Sequence, residues 1–151
     1  PHRAVFRVDR DGRVDIVDSV PEEEYSKIRV AATGFAIILR DGKILPGGGY
    51  EKNPMPRIAY GLSQDRHYLY IITVDGRQKG WSLGATGPEV AAMLRDAGAA
   101  DAINMDGGGS ATLCYWDEAK QTPVTVNRHT KEGYQRPVGS NIGIYLEPQS
   151  K

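Results

Sequence analysis

The chain has a single cysteine, Cys114, among 151 residues. No intrachain disulfide can form, and no cysteine metal cluster can be assembled. Cys114 lies in an apolar run, where it is expected as a small buried hydrophobe. No apolar stretch is long enough for a membrane span. Neither charge sign dominates: 19 Lys and Arg balance 19 Asp and Glu, for a formal net charge of zero. That balance argues against nucleic acid or an anionic membrane as the main partner. The longest block of like charge, Glu22-Glu23-Glu24, reads as a solvated turn or helix start. His2, His67 and His129 show no metal-ligand spacing and are assigned to the surface. Internal repeats are lacking, apart from recurring Asp-Gly turns.

Glycine, by contrast, is concentrated in one informative place. In Ile103-Asn104-Met105-Asp106-Gly107-Gly108-Gly109-Ser110-Ala111-Thr112-Leu113, three consecutive glycines separate two apolar runs. A packed domain accepts the backbone entropy of such a triplet where φ is positive or another backbone must come close. Asp106 enters the turn and Ser110 leaves it, and successive N–H groups there can form an anion-binding concavity. The run reads as a loop made to touch an anionic or polyhydroxylated ligand; a plain tight connection is the alternative. A nucleoside-triphosphate loop is ruled out because no Gly-Lys-Ser/Thr follows the glycines. A dinucleotide fingerprint is ruled out too, since Thr112, Leu113, Tyr115 and Trp116 read as a strand and not a helix start.

The rest of the chain reads as one domain, long enough to bury a core. Ala4–Val8 and Arg13–Val17 flank Asp9-Arg10-Asp11-Gly12, and Phe35–Leu39 and Lys43–Leu45 flank Asp41-Gly42, as two hairpins. Pro21 to Ile28 suits one or two helical turns, and Pro46 to Pro56 is a loop. Arg57–Ser63 and Tyr68–Val74 form a third strand pair. The second of these is aromatic and β-branched throughout, and is expected to be central and buried on both faces. Thr86-Gly87-Pro88-Glu89 is a capping box, followed by apolar Val90, Met93, Leu94 and Ala97, with Gly98 as the stop. Ala102–Met105 leads into the glycine turn and Ala111–Trp116 leads out. Val124–Val126 and Ile142–Leu146 read as closing strands. The predicted class is α+β: a mixed, largely antiparallel sheet with one main helix, about residues 87–98, packed on it.

Polar residues gather at the predicted strand ends, where turns are exposed but held by the sheet. Asp75 and Arg77 leave one strand, while Asn104, Asp106 and Ser110 surround the end of another. Arg57 begins a strand, and Arg136 begins Arg136-Pro137-Val138-Gly139-Ser140-Asn141. Two carboxylates, three arginines and a glycine turn suit a phosphorylated or carboxylated ligand, gripped by arginine forks. Each has a plainer reading: Asp75-Gly76 as a hairpin turn, Arg57 and Arg136 as solvated strand-edge residues, Glu89 as a helix cap. Trp81, Tyr115, Trp116 and Tyr134 could stack on a sugar, with core packing the default.

In order, Arg57-Ile58-Ala59-Tyr60-Gly61, Val74-Asp75-Gly76-Arg77, Trp81-Ser82-Leu83-Gly84, the capped helix, the triple-glycine run and Arg136-Pro137-Val138 form a series. That series resembles the phosphodiester glycosidase family from about Phe35 to Leu146. The resemblance implies a hydrolase that releases a sugar from a sugar-1-phosphate diester, with an N-acetylglucosamine-type or related glycan substrate. On this reading Asp106 is nucleophile or base, and Asp75 has a second acid/base or positioning role. Arg57, Arg77 and Arg136 are phosphate clamps, aided by the amides of Gly107, Gly108, Gly109 and Ser110. Asn104 and Ser110 hydrogen-bond the substrate or orient Asp106.

Family members usually carry an upstream Asn-Gly-rich motif, which nothing here matches; Gly47-Gly48-Gly49-Tyr50 lies in the wrong place. The chain is therefore expected to be a single phosphodiester-glycosidase-like domain over 1–151, either the C-terminal portion of a longer protein or a member without part of the site. The rival function is a non-catalytic cell-envelope module that binds phosphorylated glycan or exopolysaccharide. The sequence requires no cofactor, although a divalent cation bridging carboxylates and phosphate is a competing role for Asp75 or Asp106. The expected partner is a phosphorylated carbohydrate or glycan, with no nucleic acid and no membrane insertion. The resemblance also suggests a secreted bacterial protein of the periplasm, envelope or extracellular space.

Overall fold

The computed structural model of the chain describes residues 4–46 and 52–146. Strands β1 (Val5–Asp9) and β2 (Val14–Val17) form the first hairpin, and β3 (Ile28–Thr33) pairs with the other edge of β1. Sequence reading did not assign β3. Between β2 and β3, Glu22–Lys27 make a short 3-10 helix. Its Glu24 bonds the Arg7 guanidinium, which holds that carboxyl below its usual range. The acidic block is thus partly an anchor and not only a solvated turn.

The second hairpin joins β4 (Ala36–Arg40) to β5 (Lys43–Ile44). Asp41 and Gly42 both have positive φ, 48° and 73°, the backbone that a two-residue Asp-Gly turn demands. With β6 (Arg57–Leu62), β7 (Leu69–Val74) and β8 (Asp101–Asn104), these strands build a five-stranded sheet ordered β5-β4-β8-β6-β7. All pairings among the named strands are antiparallel. The α+β class holds, with sheet outweighing helix.

Helix α1 (Gly87–Asp96) begins at the capping box read from the sequence. Thr86 Oγ1 accepts from the Glu89 amide at 3.4 Å, and Glu89 Oε2 accepts from the Thr86 amide at 2.7 Å. The helix lays Val90, Ala91 and Leu94 on Ile38, Ala59 and Ala102 of the large sheet. On the opposite face, Phe6 and Ile16 of the small sheet cover Ile37, Leu62, Ile103 and Met105. Phe6 stands edge-on to Tyr60, with ring centroids 5.6 Å apart. Each large apolar side chain buried this way contributes about 1.5–3 kcal/mol. The three layers are therefore helix, large sheet and small sheet.

At the start of β8, buried Asp101 is bound by Arg66 Nη2 at 2.5 Å and by the Asp41 amide at 3.0 Å. A buried carboxylate needs such partners, and these tie two hairpin turns to the central strand.

Three expectations are corrected. First, β7 is an edge strand and only half-buried, not central. Its two apolar faces have different neighbours: Tyr70, Ile72 and Val74 pack toward α1, whereas Ile71 and Thr73 border an open space. Second, Cys114 is exposed, because β9 (Cys114–Asp117) and β10 (Thr122–Thr125) form a separate hairpin off both sheets. Trp81, Tyr115, Trp116 and Tyr134 are exposed as well, so core packing is not their role. Third, Ile142–Leu146 form no strand. Alternating apolar residues make a strand only when a neighbouring ladder accepts them; here Ile142 alone packs inward, and Ile144, Tyr145 and Leu146 stay exposed. His2 and Gly47-Gly48-Gly49-Tyr50 lie outside the described residues.

Candidate functional site

Register brings the polar strand ends together. In the antiparallel ladder Arg57, the first residue of β6, faces Val74, the last of β7, and Ala59 faces Asn104, the last of β8. The start of β6 and the ends of β7 and β8 thus share one edge, from which Asp75-Gly76-Arg77 and Asp106 to Ser110 emerge.

Glycines clasp that edge. A Cβ on Gly76 would stand 2.6 Å from the Pro56 nitrogen, one on Gly84 would enter the Met55 backbone, and one on Gly107 would meet the Pro56 oxygen. The Gly108 amide donates to the same Pro56 oxygen at 2.9 Å. Close backbone approach, the use that glycine serves here, fixes the segment before Arg57 against the triple-glycine turn.

The result is a recess of about 240 Å³. Arg57, Arg77, Asn104, Asp106, Gly107, Gly108, Gly109 and Arg136 all border it, with Phe35 and Met55 as apolar walls that sequence reading did not single out. Ser110 is buried behind the turn and borders a different space. Gly108 lies 3.4 Å (from its would-be Cβ) from Arg77 Nη1, and Gly109 lies 3.6 Å in the same sense from Arg136 Nη1. Both guanidinium groups are exposed and, among the described residues, have neither hydrogen-bond nor ion-pair partner. Arg77 holds φ at 57°, an uncommon backbone for a non-glycine residue.

Arg57 differs from the other two. Its guanidinium is buried and donates to backbone oxygens, Nε to Ala85 at 2.9 Å and Nη2 to Asn53 at 3.2 Å. It braces the walls while bordering the recess. Asn104 is 1% exposed, and neither its Oδ1 nor its Nδ2 has a partner among the described residues. A buried unsatisfied polar group costs about 1–3 kcal/mol, and such groups call for an explanation, a ligand among them. Asp106 is exposed, with no partner for its carboxylate among the described residues. Of the turn amides, Gly108 donates to Pro56, Ser110 to Gly107 and Ala111 to Gly108. Among the described residues, the amides of Gly107 and Gly109 have no such partner.

Asp75 does not border this recess. Its Oδ2 accepts from Trp81 Nε1 at 2.8 Å and its Oδ1 from the Arg128 amide at 2.9 Å. Arg128 in turn places its guanidinium 5.5 Å over the Trp81 ring, a cation–π arrangement. Asp75 thereby ties the loop after β7 to the loop after β10, a role with no signature in the sequence. Among the described residues, no three His, Cys, Asp or Glu side chains cluster as a metal set. No described helix is long and apolar enough to cross a membrane.

A family model described as phosphodiester glycosidase matches residues 1–145. No curated protein matches the chain. Among solved structures, the catalytic domain of zebrafish N-acetylglucosamine-1-phosphodiester alpha-N-acetylglucosaminidase, auto-inhibited by its pro-peptide, superposes with a TM-score of 0.62 at 25% identity. The match covers 74% of this chain and 41% of the zebrafish one. A hypothetical protein from Synechocystis aligns at a TM-score of 0.47 and 15% identity, over 74% of this chain and 30% of its own. With nearly the whole sequence accounted for by one family model, the chain belongs to the phosphodiester glycosidase family.

Proposed function

We propose that this protein is a hydrolase releasing a sugar from a sugar-1-phosphate diester, with Asp106 as the reacting carboxylate. One observation carries the reading. A carboxylate, two guanidinium groups and the Asn104 side-chain amide, all without partners among the described residues, border a single recess against a glycine turn. The zebrafish relative's name, which specifies an N-acetylglucosamine phosphodiester, supports a sugar of that type.

In this reading the substrate phosphate lies against Arg77, Arg136 and the amides of Gly107 and Gly109. The bond from the glycosyl C1 to a phosphate oxygen breaks, and its electron pair stays on that oxygen. A phosphate monoester leaves as an anion. It needs no proton at departure, so the general acid of ordinary glycosidases has no counterpart here. The new bond at C1 comes from an Asp106 oxygen, with water completing the reaction, or from water whose proton Asp106 accepts. Guanidinium and amide groups already in place stabilise the charge that grows on phosphate. Asn104 hydrogen-bonds the substrate or holds Asp106. A single-carboxylate plan agrees with Asp75 being occupied elsewhere.

That same occupation of Asp75 favours the second reading, a module that binds phosphorylated glycan without cleaving it. Turnover separates the two. On a chromogenic N-acetylglucosaminyl phosphodiester the wild-type chain should release sugar, and Asp106→Asn should lower the rate by about 10²–10⁴ with an unchanged circular-dichroism spectrum. Undiminished turnover in Asp106→Asn would remove Asp106 from the chemistry. Phosphodiester binding without turnover by the wild type would establish the binding module.

A further inference from the structure

A second space, about 470 Å³, opens on the face of the large sheet that receives the small sheet. Register explains its floor. Ile58 faces Thr73 and Tyr60 faces Ile71 in the β6–β7 ladder, so these four side chains share a face, the one that receives the small sheet. The small sheet covers that face only as far as its edge strand β3, and residues 112–114 and 135–142 complete the lining. A trough with a largely apolar floor remains, and it carries two buried hydroxyls with no partner among the described residues, Thr73 Oγ1 and Ser110 Oγ. Ser110 is more than nine-tenths buried. Orphaned hydroxyls on an apolar floor suit a ligand that combines hydrophobic faces with hydroxyl groups, as a pyranose ring does.

The two spaces meet. Met105, Asp106 and Arg136 border both the trough and the glycine recess. At about 240 Å³ the recess falls below the roughly 300–1,000 Å³ of pockets that take small organic ligands, whereas the trough falls inside that range. Anion and organic group therefore have separate places, with Asp106 at their junction.

We infer that the trough is the glycosyl subsite and that Thr73 determines affinity for the sugar. This rests on Asp106 acting at the glycosyl carbon. Of the two arms of a phosphodiester, the one attacked by Asp106 must lie beside it, and that arm is the sugar. The pyranose then rests on Ile58, Tyr60 and Ile71, with its hydroxyls bonded by Thr73 and Ser110, while phosphate occupies the glycine recess.

The test titrates the ¹⁵N-labelled 151-residue chain with inorganic phosphate, and separately with N-acetylglucosamine and glucose, following amide shifts. Phosphate should move residues 107–110, and at least one of the two sugars residues 58–60 and 71–73. Thr73→Val should raise the Kd for the sugar two- to tenfold, the loss of one hydrogen bond, and leave the phosphate Kd unchanged. Thr73→Ser, which keeps the hydroxyl, should bind sugar as the wild type does. The inference is overturned if neither sugar moves the trough residues, if sugar moves only the glycine turn, or if Thr73→Val weakens sugar and phosphate alike. Phosphate failing to move residues 107–110 would instead sink the anion assignment of the recess, a separate outcome.

Discussion

The indole of Trp81 donates to Asp75 Oδ2 at 2.8 Å, in the loop that also carries Arg77. The second Asp75 oxygen takes the Arg128 amide, so one carboxylate fastens two loops that share no sequence proximity. A residue with the outward look of a catalytic acid acts here as a fastener beside the site.

Asp75→Asn should therefore act on stability before chemistry. The two N–H groups meet different Asp75 oxygens, so asparagine would turn its NH2 donor toward one of them. We expect a loss of about 1–2 kcal/mol for a partly exposed charge-assisted pair, read by urea denaturation. In a Trp116→Phe background, Trp81 emission should shift to the red. A rate loss equal to that of Asp106→Asn, with stability unchanged, would return Asp75 to the reaction.

Arg77→Gln and Arg136→Gln should each weaken inorganic phosphate binding about 10- to 100-fold, the loss of a charge-assisted hydrogen bond. Because both groups are exposed, the wild-type affinity should also fall as salt rises from 0.05 to about 0.5 M. Isothermal titration reads both effects. Phosphate affinity indifferent to both substitutions and to salt would contradict the clamp.

Gly107→Ala should destabilise the chain by about 1–3 kcal/mol, since its Cβ would drive into the Pro56 oxygen. Gly139→Ala is the control. Nothing lies within 4 Å of a Cβ there, and the expected change is within about 0.5 kcal/mol. Comparable melting temperatures for the two variants would show that the turn yields and does not clasp.

Thr86→Ala should lower stability by about 1 kcal/mol through loss of the helix cap. The Glu89 carboxyl is held below its usual value of 4.5 by the Thr86 amide and then by the Thr86 hydroxyl. A group depressed in the folded state stabilises above its unfolded value and loses that contribution as pH falls through the folded one. The wild type should thus lose cap stability below pH 4.5, and Glu89→Gln should flatten that part of the profile. Identical acid profiles for the two proteins would discount the cap.

Local chemistry was the legible part of this fold. The capping box at Thr86 and Glu89 and the turn at Asp41 and Gly42 each state their backbone within four or five residues, and each forms as read; the glycine run forms a turn, with its outgoing strand starting only at Cys114. The final strand expected at Ile142–Leu146 and the central place expected for β7 failed for a common reason: alternation records which side chains are apolar, not which neighbour will accept the ladder. Strand β3 went unassigned because Ile28–Thr33 has no turn residue marking its start, and its place is set by β1, some twenty residues away.

For the site, residue types were readable one by one, but their division of labour was not. Arginine reads alike at 57, 77 and 136, yet only the structure shows that buried Arg57 braces backbone while Arg77 and Arg136 have no partner among the described residues. Thr73, a strand residue among apolar neighbours, offered no signal until its hydroxyl was found buried and unsatisfied.

By itself the sequence determined a glycine turn bearing acid and amide groups, a capped helix, hairpin strands and their family, because each rests on short-range sterics or on an ordered series of motifs. Only the tertiary structure decided that Asp106 stands where the recess and the trough meet, while Asp75 accepts from Trp81 and the Arg128 amide away from the recess. Strand register and loop packing join residues tens of positions apart, and no local rule encodes that pairing.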